Sequence, residues 1–167
     1  MGVELGASLD LLECLPTSRC CLLQSPLKRG ALLELARLME ASGAVPSAED
    51  LARMIFRREA SMSTGIGLGI AVPHARMEGV TEPAVALGVS PAGLRGYESI
   101  DEEPVRLVAM IVTAAGRPEQ YSRLLGGIVA TLKVREVRED LTMATEPAEI
   151  RQTIAASLED ASDGDDV

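Results

Sequence analysis

A chain of 167 residues, 47% of them hydrophobic, is long enough and apolar enough to bury a core as one ordinary domain. Its formal charge of −9 and its 2% aromatic content argue against the basic, base-stacking surface that a nucleic-acid binder needs. No run approaches the roughly 20 apolar residues of a membrane helix, so no membrane insertion is expected. An acidic surface of this kind suits a basic protein partner.

Residues 1–10 read as a lead-in. They carry Glu4 and Asp10 and lack a basic region ahead of an apolar run, so no signal peptide is expected and the cytoplasm is the expected compartment. Cys14, Cys20 and Cys21 are odd in number and two are adjacent, which is not a disulfide framework. Without Cys-x-x-Cys spacing they do not make a zinc site with His74 either; they read as small buried hydrophobes, and no metal or cofactor is expected.

Arg19-Cys20-Cys21-Leu22-Leu23 predicts a first short strand. After Pro26, the residues Leu27, Ala31, Leu35, Leu38 and Met39 recur at helical spacing, and Gly43 supplies a stop. Ser47-Ala48-Glu49-Asp50 resembles a capped start for a second helix, which buries Leu51, Met54 and Ile55 and ends near Arg57-Arg58-Glu59. Ile66, Leu68, Ile70 and Val72 alternate as a strand does. Residues 84–89 and 105–112 predict two more strands, the latter apolar enough to be buried on both faces. Gly93, Gly96 and Asp101-Glu102-Glu103-Pro104 mark loops or a hairpin between them. From Pro118, Leu124, Leu125, Ile128, Val129 and Leu132 form a helical stripe, and Pro147 opens a last helix through Ile150, Ile154 and Leu158. The acidic, small-residue tail 159–167 is expected to be disordered. These elements predict a single α/β domain over 11–158, with a mixed central sheet flanked by helices on both faces.

The chemistry concentrates at Ser63-Thr64-Gly65-Ile66-Gly67-Leu68-Gly69-Ile70-Ala71-Val72-Pro73-His74, which ends in the only histidine of the chain. Histidine is the side chain that serves as a neutral nucleophile or a cation near neutral pH. Three alternating glycines invite a dinucleotide reading. That loop needs a strand before it and a helix after it, whereas here a helix precedes and Ala71-Val72-Pro73 follows. The lysine of a phosphate-binding Walker loop is absent too. A lone histidine is often only a satisfied structural residue; the alternative is that the glycines let backbone approach a group bound at His74, since exposed N–H groups, the Ser63 and Thr64 hydroxyls and a nearby arginine are what a phosphoryl dianion requires. An imidazole nitrogen attacks phosphorus and leaves again readily, which suits a relay.

The run Arg58-Glu59-x-x-x-Ser63-Thr64-Gly65-Ile66-Gly67-x-Gly69-Ile70-Ala71-Val72-Pro73-His74 resembles the motif of the type 2 IIA domains of the bacterial phosphoenolpyruvate phosphotransferase system. That family includes fructose/mannitol IIA domains and nitrogen-regulatory IIA proteins. The resemblance extends from about Leu11 to Leu158 and takes in Lys28 ahead of the first long helix. It implies that His74 accepts a phosphoryl group from the small carrier protein HPr, then passes it to a IIB domain or keeps it as a regulatory mark on a target protein. Arg58 matches the motif arginine that steadies the phosphate charge. Glu59, Ser63, Thr64 and Pro73 match positions that shape the loop, and Gly65, Gly67 and Gly69 let it pack close around the phosphate.

One position departs from the family. Many members carry a second histidine at the start of the helix after the last buried strand, and here Tyr121 stands there. A phenol donates one hydrogen bond but does not become a cation as imidazole does. That substitution favours a nitrogen-type regulatory phosphocarrier over a sugar relay. It also leaves open a binding module that keeps the fold without phosphorylation, and a small-ligand binder using the glycine cradle. Other assignments stay open as well: Arg58 as a charge offsetting a helix C-terminus, Tyr121 as a packing residue, and Ser63 and Thr64 as turn residues.

Overall fold

In a computed structural model, which describes residues 11–163, six strands form one mixed sheet. Residues 11–14 are helical and a short 3-10 turn, Thr17–Arg19, leads into β1 (Cys20–Leu22). Helices α1 (Lys28–Ala41) and α2 (Ala48–Ser61) follow, then β2 (Gly65–Gly67), β3 (Ile70–Ala71), β4 (His74–Met77), β5 (Ala84–Leu94) and β6 (Val105–Ala114). The chain closes with α3 (Pro118–Leu132), α4 (Arg135–Thr142) and α5 (Pro147–Asp163).

The long antiparallel pair β5–β6 is the centre of the sheet. β1 adds in parallel to the free edge of β5. Along the other edge of β6 lie β3 and then β4, both parallel to it, as successive segments of one path broken at Val72-Pro73. β2 folds back antiparallel on β3. Central strands this apolar need cover on both faces. On one face Leu32, Leu35, Met39, Leu51 and Ile55 of α1 and α2 pack on Val108, Met110 and Val112. On the other, Leu124, Ile128 and Leu132 of α3, with Leu141 and Ile150 from α4 and α5, pack on Leu107, Ala109 and Ile111. The expected sheet flanked by helices on both faces is the observed architecture.

The helix ends follow local chemistry. The Ser47 hydroxyl accepts the Asp50 N–H at 3.1 Å, the N-cap its sequence predicts, a bond of the kind that stabilises a helix by about 1 kcal/mol. Pro118 takes the first turn of α3, where its missing N–H removes no helical bond.

Four local expectations differ from the structure, the first being Met54 of α2, which is 38% exposed because the buried face of that helix runs through Leu51, Ala52 and Ile55. The alternating Ile66–Val72 run is a hairpin, β2–β3, because Leu68 and Gly69 adopt left-handed φ values of 59° and 76° and reverse the chain. His74–Met77 forms a strand that the sequence pattern did not mark, since its pairing comes from the edge of β6. α5 continues through Asp163, past Leu158 where the apolar stripe ends and into the segment expected to be a disordered tail. The lead-in 1–10 and residues 164–167 lie outside the described residues. Among the described residues, no helix is long and apolar enough to cross a membrane.

Candidate functional site

His74 opens β4 opposite Ile111, and residues paired across a sheet point to the same face. Ile111 faces the α3 side, so the His74 ring meets α3 as well. There it stacks on Tyr121, the rings 4.3 Å apart at 29°. The ring is half-buried. Its Nδ1 lies 3.2 Å from the Val72 carbonyl oxygen and 3.2 Å from the Tyr121 hydroxyl. A carbonyl only accepts, so Nδ1 carries the proton and donates it, and Nε2 keeps a free lone pair. Pro73 supports this geometry from behind, its carbonyl accepting the Ile111 N–H at 2.9 Å while the Val72 carbonyl is turned to the ring.

Burial is the largest influence holding the His74 pKa below its ordinary 6.5. The Val72 hydrogen bond opposes it, Arg58 and Arg76 reinforce it, and Glu59 pulls upward. The imidazole is therefore neutral at neutral pH, with two exposed guanidinium groups acting on it. Arg58 also acts on Tyr121, whose phenol burial pushes above its ordinary value. Arg76 was not singled out from the sequence. Its signal was the two-residue period of a strand, which puts residues 74 and 76 on one face once β4 is recognised.

Behind the imidazole sits a buried polar cluster. Glu59, whose side chain is only 4% exposed, receives Lys28 Nζ at 2.8 Å. It also accepts the Thr64 N–H at 3.2 Å, the Thr64 hydroxyl and the Tyr97 hydroxyl at 3.2 Å. The Thr64 and Tyr97 hydroxyls lie 2.7 Å apart, and Lys28 stands 4.4 Å over the Tyr97 ring. Tyr97 escaped sequence reasoning because nothing local marks an aromatic 38 residues from its acidic partner.

In this structure the groups of the expected cradle make hydrogen bonds within the protein. The Ser63 hydroxyl donates to the Glu98 carbonyl at 2.6 Å, and Thr64 is bound to Glu59. The Gly65 N–H goes to Ser63 Oγ, the Gly67 N–H to Ser99 Oγ at 3.0 Å and the Leu68 N–H to Asp101 Oδ2 at 2.8 Å. Gly69 gives its carbonyl to the N–H groups of Arg106 and Leu107. These groups bind the hairpin to the 98–107 segment. The glycines serve that packing, since a Cβ on Gly65 would run into the Glu98 carbonyl and one on Gly67 would lie 3.2 Å from Asp101. What gathers at His74 is Val72, Tyr121, Arg58 and Arg76, with Glu59 and Thr64 one layer behind.

The cysteines form no disulfide, and burial pushes Cys20 up to about 11 and Cys21 to about 12. Among the described residues, no group of three or more His, Cys, Asp or Glu could hold a metal ion.

Comparison with known proteins places this geometry. Residues 20–157 match the profile of the phosphoenolpyruvate-dependent sugar phosphotransferase system, EIIA 2. A fructose-specific EIIA component from Haloferax volcanii is 30% identical over 132 residues, covering 79% of this chain and 85% of the relative. The fructose-specific EIIABC component of Bacillus subtilis is 34% identical over 122 residues, 73% of this chain but only 19% of that much longer protein. Among solved structures, the nitrogen regulatory protein IIA-Ntr from Neisseria meningitidis superposes with a TM-score of 0.77 at 26% identity, over 86% of this chain and 98% of its own.

Proposed function

The chain belongs to the EIIA 2 family of the phosphoenolpyruvate-dependent sugar phosphotransferase system, and from that membership we propose that it is a phosphoryl carrier whose acceptor is His74. The observation that carries the reading is the contact between Nδ1 and the Val72 carbonyl, which leaves Nε2 as an unprotonated nucleophile.

The step balances without a base. The Nε2 lone pair attacks the phosphorus of a phosphohistidine on an HPr-like donor. The donor's N–P bond breaks, its electron pair returns to the donor imidazole, and the new N–P bond forms on His74. Phosphoryl transfer asks the protein for position and charge more than for covalent chemistry. Stacking on Tyr121 and the Val72 bond supply the position. Arg58 and Arg76, whose charges already act on the ring, supply positive potential for the phosphoryl oxygens.

For the outlet we favour a regulatory mark of the nitrogen type over dedicated sugar relay. Tyr121 supports this: its neutral phenol stands where a second imidazole would offer a cation, and its hydroxyl oxygen lies 3.2 Å from Nδ1. The same residue favours the competing reading, a binding module that is never phosphorylated. The fructose-specific relatives keep a IIB partner in view as an acceptor.

Intact-mass measurement after incubation with phosphoenolpyruvate, enzyme I and HPr decides between them, beside a His74→Ala control. One phosphoryl group on the parent and none on the variant establishes the carrier. No addition to folded parent protein with its native donor overturns it in favour of the binding module.

A further inference from the structure

We propose that the buried Lys28–Glu59–Tyr97 cluster is a positioning device for the nucleophile, acting through a continuous hydrogen-bonded path that ends on His74 Nδ1. The path runs from α1 and α2 through the segments that flank the β2–β3 hairpin to the first residue of β4. Lys28 at the start of α1 pairs with Glu59 near the end of α2 at 2.8 Å. Glu59 accepts both the N–H and the hydroxyl of Thr64. The Thr64 carbonyl accepts the Val72 N–H at 3.1 Å. The Val72 carbonyl then faces His74 Nδ1 at 3.2 Å. Each link holds the residue that makes the next one.

The arrangement answers a question of chemistry. A neutral imidazole has two tautomers, and only the one protonated at Nδ1 presents Nε2 to phosphorus. The tautomer is chosen by the orientation of the Val72 carbonyl, which belongs to the two-residue break between β3 and β4 and makes no sheet bond of its own, although Ile111 of β6 holds the adjoining Pro73 carbonyl. Thr64 holds Val72 from its N–H side, and Glu59 holds Thr64. A nearly buried carboxylate with one lysine and several donors is a rigid anchor, because moving any member leaves a charge or a donor unmatched. Glu59 also acts on His74 electrostatically, against Arg58 of its own helix and Arg76 of β4, with Tyr121 of α3 as the remaining titratable contact.

Nitrogen-resolved NMR of the imidazole in the unphosphorylated protein tests this directly. The parent is expected to populate the Nδ1–H tautomer alone. In Glu59→Gln, the Nε2–H form is expected to appear and the titration midpoint of His74 to move down, as the upward pull of the carboxylate is lost. Phosphoryl acceptance should then fall by about tenfold or more, the cost of a misplaced reacting group. Should that variant not fold, Thr64→Val removes the hydroxyl link without stranding Lys28, and should change the tautomer in the same direction, while Thr64→Ser restores it. Folded variants with parental tautomer and midpoint overturn the proposal, whatever their melting temperatures, because a merely structural cluster moves only the latter. The rate measurement rests on the phosphocarrier reading; the tautomer measurement does not, so failure of either is recognisable by itself.

Discussion

At the scale of single residues, His74 is a neutral base kept ready by burial and by two arginines. Two consequences can be measured. Its folded pKa lies below 6.5, so acceptance from a phosphorylated donor should hold its rate as pH falls from about 8 to about 6.5, and decline only below that. A decline centred above 6.5 would contradict the assigned environment. Stability carries the matching sign. The unfolded chain takes the proton first, so His74 costs the fold nothing well above 6.5 and progressively more below it. Relative to His74→Asn, the parent should therefore lose stability in urea titrations between about pH 7.5 and about pH 5.5. Tyr121 makes the third prediction. Tyr121→Phe keeps the stack and loses the hydroxyl contact, so rapid-quench transfer should slow by about fivefold, one neutral hydrogen bond in kinetic terms. Tyr121→Ala loses both and should be slower still; parental rates in both variants would reduce Tyr121 to packing.

At the scale of elements, the hairpin β2–β3 is held from outside itself. Asp101 accepts from Leu68, Ser99 and Glu103, which keeps its carboxyl below the usual carboxylate range and holds Leu68 in a left-handed conformation. Gly65 is where that embrace is tightest. Gly65→Ala should cost about 2 kcal/mol or more, because the obstacle is backbone and cannot swing away. Gly116→Ala, with open space and no left-handed φ, should stay within about 0.5 kcal/mol. Equal costs in denaturant titrations would mean that the hairpin yields. The strand reading of Ile66–Val72 failed for the same reason. Alternation was present, but a partner segment more than 30 residues away forced the reversal.

At the scale of the whole molecule, the sheet divides two apolar layers that share no side chains. Leu35 lies wholly buried under α1 and Leu132 under α3, on opposite faces. Each truncation to alanine should cost about 2–5 kcal/mol, and the double variant should cost their sum to within about 0.5 kcal/mol. A large departure from additivity would show that the layers are coupled through the sheet. This two-layer plan was legible in advance: the helices containing Leu35 and Leu124 repeat at helical spacing, and 105–112 is too apolar to leave either face in water.

The sequence by itself determined the fold class and the family, and it left one candidate for the proposed acceptor. Periodicity marks buried faces locally, the motif from Arg58 to His74 is contiguous, and there is one histidine to choose. Only the tertiary structure decided which groups surround that histidine. Ser63, Gly67, Leu68 and Gly69 make hydrogen bonds with residues 98–107, Thr64 gives its own to Glu59, the charge of Arg76 acts on the ring because β4 joins an edge of β6, and Tyr97 closes on Glu59 from another loop. A hydrogen bond or an edge pairing is a choice among distant partners, and a chain's local pattern does not contain that choice until the core has brought them together.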